Sequence, residues 1–160
     1  MNKQEGFSLI ELLIVVTTLG IILSIAAPNF IKSKRSANES VAVSTLRAIH
    51  LAQTAYLSTH GNDNYGTMAQ LQNTKLVDDV VASGTKSGYN FPNFVIVAKT
   101  TTTPAYYFST AAPTITSGVM QTGYSSYGIT EAGVIHKRLG TNAPTIDAVT
   151  RGFITGSPLD

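Results

Sequence analysis

The sequence predicts an α+β protein: one long N-terminal helix, apolar in its first half and amphipathic in its second, packed on a small antiparallel sheet. Three observations predict it. Residues 7–27 read FSLIELLIVVTTLGIILSIAA, without a single charge from Leu12 to Ala27. Beyond Pro28, helix-favouring residues resume and set Ala42, Leu46, Ile49, Ala52 and Tyr56 four, three, three and four apart, one stripe of a helix. From Gly61 onward the chain turns Gly-, Ser- and Thr-rich, with short aromatic and β-branched runs suited to strands.

The first element is a helix from Phe7 to about Thr59, about 80 Å long at 1.5 Å per residue. It carries a kink near Pro28, whose ring removes a helix hydrogen bond and crowds the preceding turn. Gly20 is a second weak point in the same stretch. The face opposite the apolar stripe shows Glu39, Ser40, Arg47, Thr54 and Ser58, and His60-Gly61-Asn62 supplies the stop. Thr67-Met68-Ala69-Gln70 fits a capping box and opens a short helix to about Asn73; residues 76–82 add a turn. Strands are expected at residues 88–91, 94–99, 105–110, 126–130 and 134–137. Glu131-Ala132-Gly133 forms the turn of the last hairpin, and residues 100–104 and 112–118 are the other connections. Residues 138–160 alternate Gly, Thr, Ala and Pro and read as a loop-rich tail or an edge-covering loop.

The apolar run is long enough for a hydrocarbon core of about 30 Å. One reading is a cleavable secretory signal with Ser24-Ile25-Ala26 at its cleavage site; another is a permanent anchor. Glu11 opposes both, because a carboxylate within such a segment costs roughly 2.5 kcal/mol or more and calls for a partner. The segment Gly6-Phe7-Ser8-Leu9-Ile10-Glu11 resembles the processing site of type IV pilins and of the related pseudopilins of type II secretion systems. The resemblance implies that residues 1–6 are a leader, removed by a membrane-embedded prepilin peptidase between Gly6 and Phe7. Phe7 is then N-methylated, and Glu11 becomes the fifth mature residue, where the family keeps its carboxylate.

The chemistry agrees with that implication. An amine and a carboxylate buried in lipid are each costly alone and much less so as a hydrogen-bonded pair, so Glu11 of one subunit pairs with the Phe7 amine of its neighbour. Residues 7–28 are expected to serve first as membrane anchor and then as filament core, with residues 29–60 as the amphipathic half of the same helix. The resemblance also marks Gly20 to Pro28 as the stretch that loses helix on assembly. The globular head spans residues 61–137; residues 84–91 (GTKSGYNF) and 125–137 (SSYGITEAGVIHK) resemble the heads of many pilin-like proteins, on weaker grounds. Lys32, Lys34 and Arg35 follow the apolar run, and by the positive-inside rule alone they favour the reverse orientation; the processing signature instead needs Gly6 in the cytoplasm.

Composition and spacing narrow the remaining classes. The chain has 160 residues, 12% charged, with eleven basic and nine acidic side chains; a net charge of +2 without a basic run gives no sign of nucleic-acid binding. With no cysteine there is no disulfide, thiol catalyst or Cys-based metal site, and the C-terminal disulfide of many pilins is absent. Gly84-Thr85-Lys86-Ser87 is not a P-loop, because Thr and Val stand at positions 85 and 80, where that loop needs glycines. Gly123-Tyr124-Ser125-Ser126-Tyr127 fails the nucleophile-elbow pattern at its last residue. His50, His60 and His136 lack an acid at ligand spacing, and Asp78-Asp79 reads as a helix N-terminal or solvated pair. Asp147 and Asp160 do not make the acidic calcium loop of major pseudopilins, and the Asn38-Glu39-Ser40 sequon lies on a helix.

The expectation is a structural subunit without catalytic residues, cofactor or metal. It is held singly across the inner membrane and then polymerised with its own copies, through an assembly platform, into a surface type IV pilus. The alternatives are a type II secretion pseudopilin and, further off, a single-pass anchored or secreted binding domain.

Overall fold

The computed structural model describes residues 6–92, 94–146 and 152–159. Residues 1–5 of the expected leader lie outside them, as do Asp147 and Asp160. The chain divides into two units, one ending at Lys34 and the other beginning at Arg35. Helix α1 (Leu9–Thr59) contributes to both and includes Pro28.

In the first unit every large apolar side chain from Phe7 to Phe30 is exposed. The hydroxyls that interrupt this run are satisfied locally. Thr17 and Thr18 donate back to carbonyls three and four residues earlier, and Ser24 donates to the Ile21 carbonyl. Polar side chains therefore sit in an apolar segment without demanding water.

The second unit is the head. Its sheet contains β1 (Thr85–Lys86), β2 (Tyr89–Asn90), β3 (Phe94–Val97), β4 (Tyr106–Pro113), β5 (Ser125–Thr130), β6 (Ile135–Leu139) and β7 (Ser157–Pro158). The order is β1-β2-β4-β5-β6-β7, all antiparallel, with β3 pairing along the same edge of β4 as β2. The five apolar residues of the helix stripe are all buried, with Leu46 and Ile49 fully enclosed. Ala42, Leu46 and Ile49 meet Val81, Tyr89, Phe91, Ala111, Tyr127, Ile129 and Ile135 in one cluster, and Ala52 and Tyr56 meet Leu71 in a second. This is the α+β arrangement of the sequence analysis.

Local chemistry explains the smaller elements. Thr67 and Gln70 close a reciprocal capping box at the start of α2 (Met68–Asn73). Asp78 caps α3 (Asp79–Ala82), accepting the Val81 N–H at 2.6 Å; that bond and Lys86 hold its carboxyl below the usual range. Ser87 and Gly88, both at positive φ, make the two-residue turn of the β1–β2 hairpin. Gly133, at φ +77°, closes the β5–β6 turn and donates to the Thr130 carbonyl.

The structure departs from the sequence reading in three places. Glu39, assigned to the solvent face, is half-buried and accepts the N–H groups of Tyr124 and Ser125 and the Tyr127 hydroxyl. The tract of residues 112–118 is not all connection, because β4 runs to Pro113 and pairs there with Tyr89. The segment after residue 138 contributes strand: β6 continues to Leu139 and Ser157–Pro158 pairs with it. Phe153 also packs on the sheet at Gly128, where any Cβ would come within 2.5 Å of its ring. That cover adds to the core packing of Tyr127 and Ile129 on a strand whose six residues are all buried.

Candidate assembly and processing site

Gly6 and Phe7 precede α1 in non-helical backbone. A Cβ at Gly6 meets nothing within 4 Å, and the Phe7 side chain is 85% exposed. Gly6 and Phe7 are thus both exposed among the described residues. Ser8 is the last residue before the helix, and its carbonyl accepts the N–H groups of Glu11 and Leu12.

The Glu11 carboxylate accepts the Ser8 backbone N–H at 2.9 Å. A negative charge in the first turn also meets the positive end of the helix dipole. Ser8-Leu9-Ile10-Glu11 is therefore half of a capping box, a signal legible in the S-x-x-E spacing that the sequence reading passed over. It shows how the exposed carboxylate is held in a single chain. Gly20 has open space where a side chain would sit, so nothing around it requires glycine.

His50 Nδ1 lies 2.7 Å from the Tyr107 hydroxyl, His60 stacks on Tyr56, and the His136 ring lies against Phe153. The three histidines have separate neighbours. Among the described residues no group of three His, Asp or Glu side chains gathers as metal ligands. Burial pushes the Tyr89, Tyr107 and Tyr127 hydroxyls well above their ordinary pKa, so they act as fixed hydrogen-bond donors. Tyr89 donates to the Ser125 carbonyl at 2.7 Å, and Gly123 is needed there because a Cβ would collide with the phenol. Gln53, fully buried, brackets Gly66 by donating to its carbonyl at 2.7 Å and accepting its N–H at 2.9 Å.

The helix from Leu9 is long and apolar enough to cross a membrane, and it carries a carboxylate in its first turn. Residues 1–27 match the family described as Prokaryotic N-terminal methylation motif. The chain is similar to the type IV major pilin protein PilA of Myxococcus xanthus, 42% identical over 67 residues, which are 42% of this chain and 30% of that protein. It is also similar to the type II secretion system core protein G of Escherichia coli, 30% identical over 92 residues, 55% of this chain and 62% of the relative. The same core protein of Vibrio cholerae is 39% identical over 56 residues, 35% and 38% of the two chains. These matches thus span 30% to 62% of the relatives' own length. No solved structure matches the chain significantly. The chain is thus similar to a type IV major pilin protein and to type II secretion system core proteins G.

Proposed function

We propose that the chain is a pilin: a structural subunit that polymerises with its own copies from the inner membrane into a type IV pilus. Prepilin peptidase cleaves between Gly6 and Phe7, Phe7 is N-methylated, and the subunit waits in the bilayer through its apolar helix. An inner-membrane assembly platform then adds it to the base of the filament, where Glu11 exchanges its cap on Ser8 for the Phe7 amine of a neighbour. Gly20 and Pro28 give the helix the flexibility that insertion into the filament requires. The observation that carries this reading is the methylation motif at residues 1–27, which from Leu9 onward runs along a helix whose large apolar side chains are exposed. Such a helix is stable only in lipid or among other helices.

The test is mass spectrometry of the N-terminal peptide of the protein recovered from membranes or fibres. A peptide that begins at Phe7 and carries one added methyl group is expected. A start at Ala27, or an intact Met1, overturns the reading. A second reading, a pseudopilin of type II secretion, is favoured by the longer match to core protein G. Long surface fibres containing this chain support the pilus; secretion failure on its deletion, without fibres, supports the pseudopilin.

A further inference from the structure

We infer that the tip of the loop of residues 114–124 rests in the headgroup layer of the bilayer while the subunit is held in the membrane. This rests on the membrane-anchored subunit proposed above and adds a contact between its head and lipid. The loop follows α1 back toward Arg35. At its base Glu39 accepts the Tyr124 and Ser125 N–H groups, and further along Asn38 donates to the Thr122 carbonyl at 2.9 Å. At its tip Arg35 donates to the carbonyls of Gly118, Val119 and Gln121 at 2.9–3.1 Å, and its guanidinium lies over the Tyr124 ring and bonds its hydroxyl. Arg35 is the first residue of the head unit, so the tip is tied to the point where that unit begins.

Chain connectivity alone brings that point to the bilayer surface. The N-terminal part of α1 is long and apolar enough to cross a membrane, and Lys32 is the first charged residue after Glu11. A lysine that ends an apolar run keeps its ammonium among the headgroups. Arg35 follows three residues later. That is about 4.5 Å of helix, and at most about 11 Å of fully extended chain however the two units are disposed. The headgroup layer is itself roughly 5–7 Å thick on each side. The tip suits this layer. Val119 is 69% and Met120 71% exposed, and residues 114–124 carry no charge, so their side chains leave water without stripping an ion. With its carbonyls already held by Arg35, the tip has little left to order on contact. Exposed apolar side chains beside a cationic anchor seat at the boundary of headgroups and acyl chains.

The chain contains no tryptophan and no cysteine, so one introduced residue of either kind reports alone. The full chain is reconstituted into vesicles of phosphatidylcholine and phosphatidylglycerol whose acyl chains carry bromine near the headgroup. Emission from Met120→Trp is expected to fall about twofold against unbrominated vesicles, as for an indole at the interface. Leu51→Trp, at a 68% exposed position of α1 in the head, is expected to keep its emission. Leu19→Trp, in the apolar run, is expected to be quenched by bromine placed deep in the chains. Quenching at Leu19 without quenching at Met120 overturns the lipid contact and leaves the membrane anchor standing. No quenching at Leu19 overturns both. Equal quenching at Leu51 and Met120 overturns the contact as well, because the head would then lie on lipid without regard to the tip. Tryptophan itself favours interfaces, so Met120→Cys provides a second arm. Its thiol is expected to react roughly tenfold more slowly with a membrane-impermeant maleimide than that of Leu51→Cys in the same vesicles, as for a side chain seated at the interface. Equal rates overturn the contact.

Discussion

The two parts of α1 share a backbone and differ in pattern. From Phe7 to Phe30 apolar residues fill most positions, so no face is marked and all the large ones are exposed. After Arg35 one apolar stripe recurs at helical spacing, and that stripe is the part the head covers, while Leu51 off the stripe stays exposed. Hydrophobicity alone says that a helix wants cover; periodicity says whether the same chain provides it. A one-sided helix finds its partner within its own domain, whereas an all-round apolar helix must find lipid or other helices. The comparison assigns the two parts different work, and substitutions can separate that work.

The largest effect expected concerns assembly alone. Glu11→Val removes the carboxylate that the polymer reading pairs with a neighbouring amine. The pairing loss of about 3–5 kcal/mol amounts to roughly two to four orders of magnitude in assembly. The thermal midpoint of the head should not move, because among the described residues the Glu11 carboxylate bonds the Ser8 N–H and no group of the head. Normal fibres from this variant, counted by electron microscopy, would break the comparison on its N-terminal side.

The reverse separation comes from leucines. Leu46 is fully buried in the head, so Leu46→Ala is expected to destabilise it by about 2–5 kcal/mol through lost burial and a cavity. Leu19, half-exposed on the apolar part, should shift head unfolding by less than about 0.5 kcal/mol when changed to Ala. Denaturant melts followed by near-ultraviolet circular dichroism measure both. Equal effects would mean that the two parts of the helix do not differ in this way.

What could be read from the sequence follows the same division. The helix stripe, the Thr67–Gln70 capping box and the Gly133 turn are local patterns whose chemistry is complete within a few residues, and each appears in the structure. The N-terminal motif was legible for the same reason, although its Ser8–Glu11 cap was overlooked. Three features were hidden because their partners lie far along the chain. Gln53 reads as a solvent residue until Gly66, thirteen positions on, brackets it. Glu39 reads the same way until β5 arrives 86 positions later. Phe153 reads as tail until it covers Gly128. A polar residue beside an apolar stripe does not announce its burial, since only long-range backbone groups satisfy it.

Glu39 provides the third test, smaller than the two above. Its carboxylate accepts two backbone N–H groups and the Tyr127 hydroxyl, and with Arg35 and Asn38 it holds the loop of residues 114–124. Glu39→Gln keeps the shape but replaces charged acceptors with a neutral amide, at an expected loss of about 1.5–3 kcal/mol in head stability. Arg47→Gln, on the exposed face of the same helix, is expected to change it by less than about 0.5 kcal/mol. A Glu39→Gln head as stable as wild type would return Glu39 to the solvent face of the sequence reading.

The smallest effect is read in alkaline pH, and it belongs to the head alone. Tyr89, Tyr107 and Tyr127 have raised pKa values, first because burial disfavours the phenolate. The Glu39 charge adds to this for Tyr89 and Tyr127, and Tyr65 and Glu131 add to it for Tyr107. A group whose folded pKa lies above its unfolded value of about 10 holds its proton more tightly when folded. Its contribution is therefore complete below that pH and is lost as pH rises through it toward the folded values. The thermal midpoint should owe no slope to these tyrosines between about pH 7 and 9, then fall above about pH 10. Tyrosinate absorbance from the buried three should appear only as the head unfolds. Tyr127→Phe removes one of the three titrations and should flatten the alkaline slope. Tyrosinate absorbance from all seven tyrosines in a head still folded would show that the hydroxyls of β2, β4 and β5 are wet, and that the covered face of α1 is less enclosed than its burial indicates.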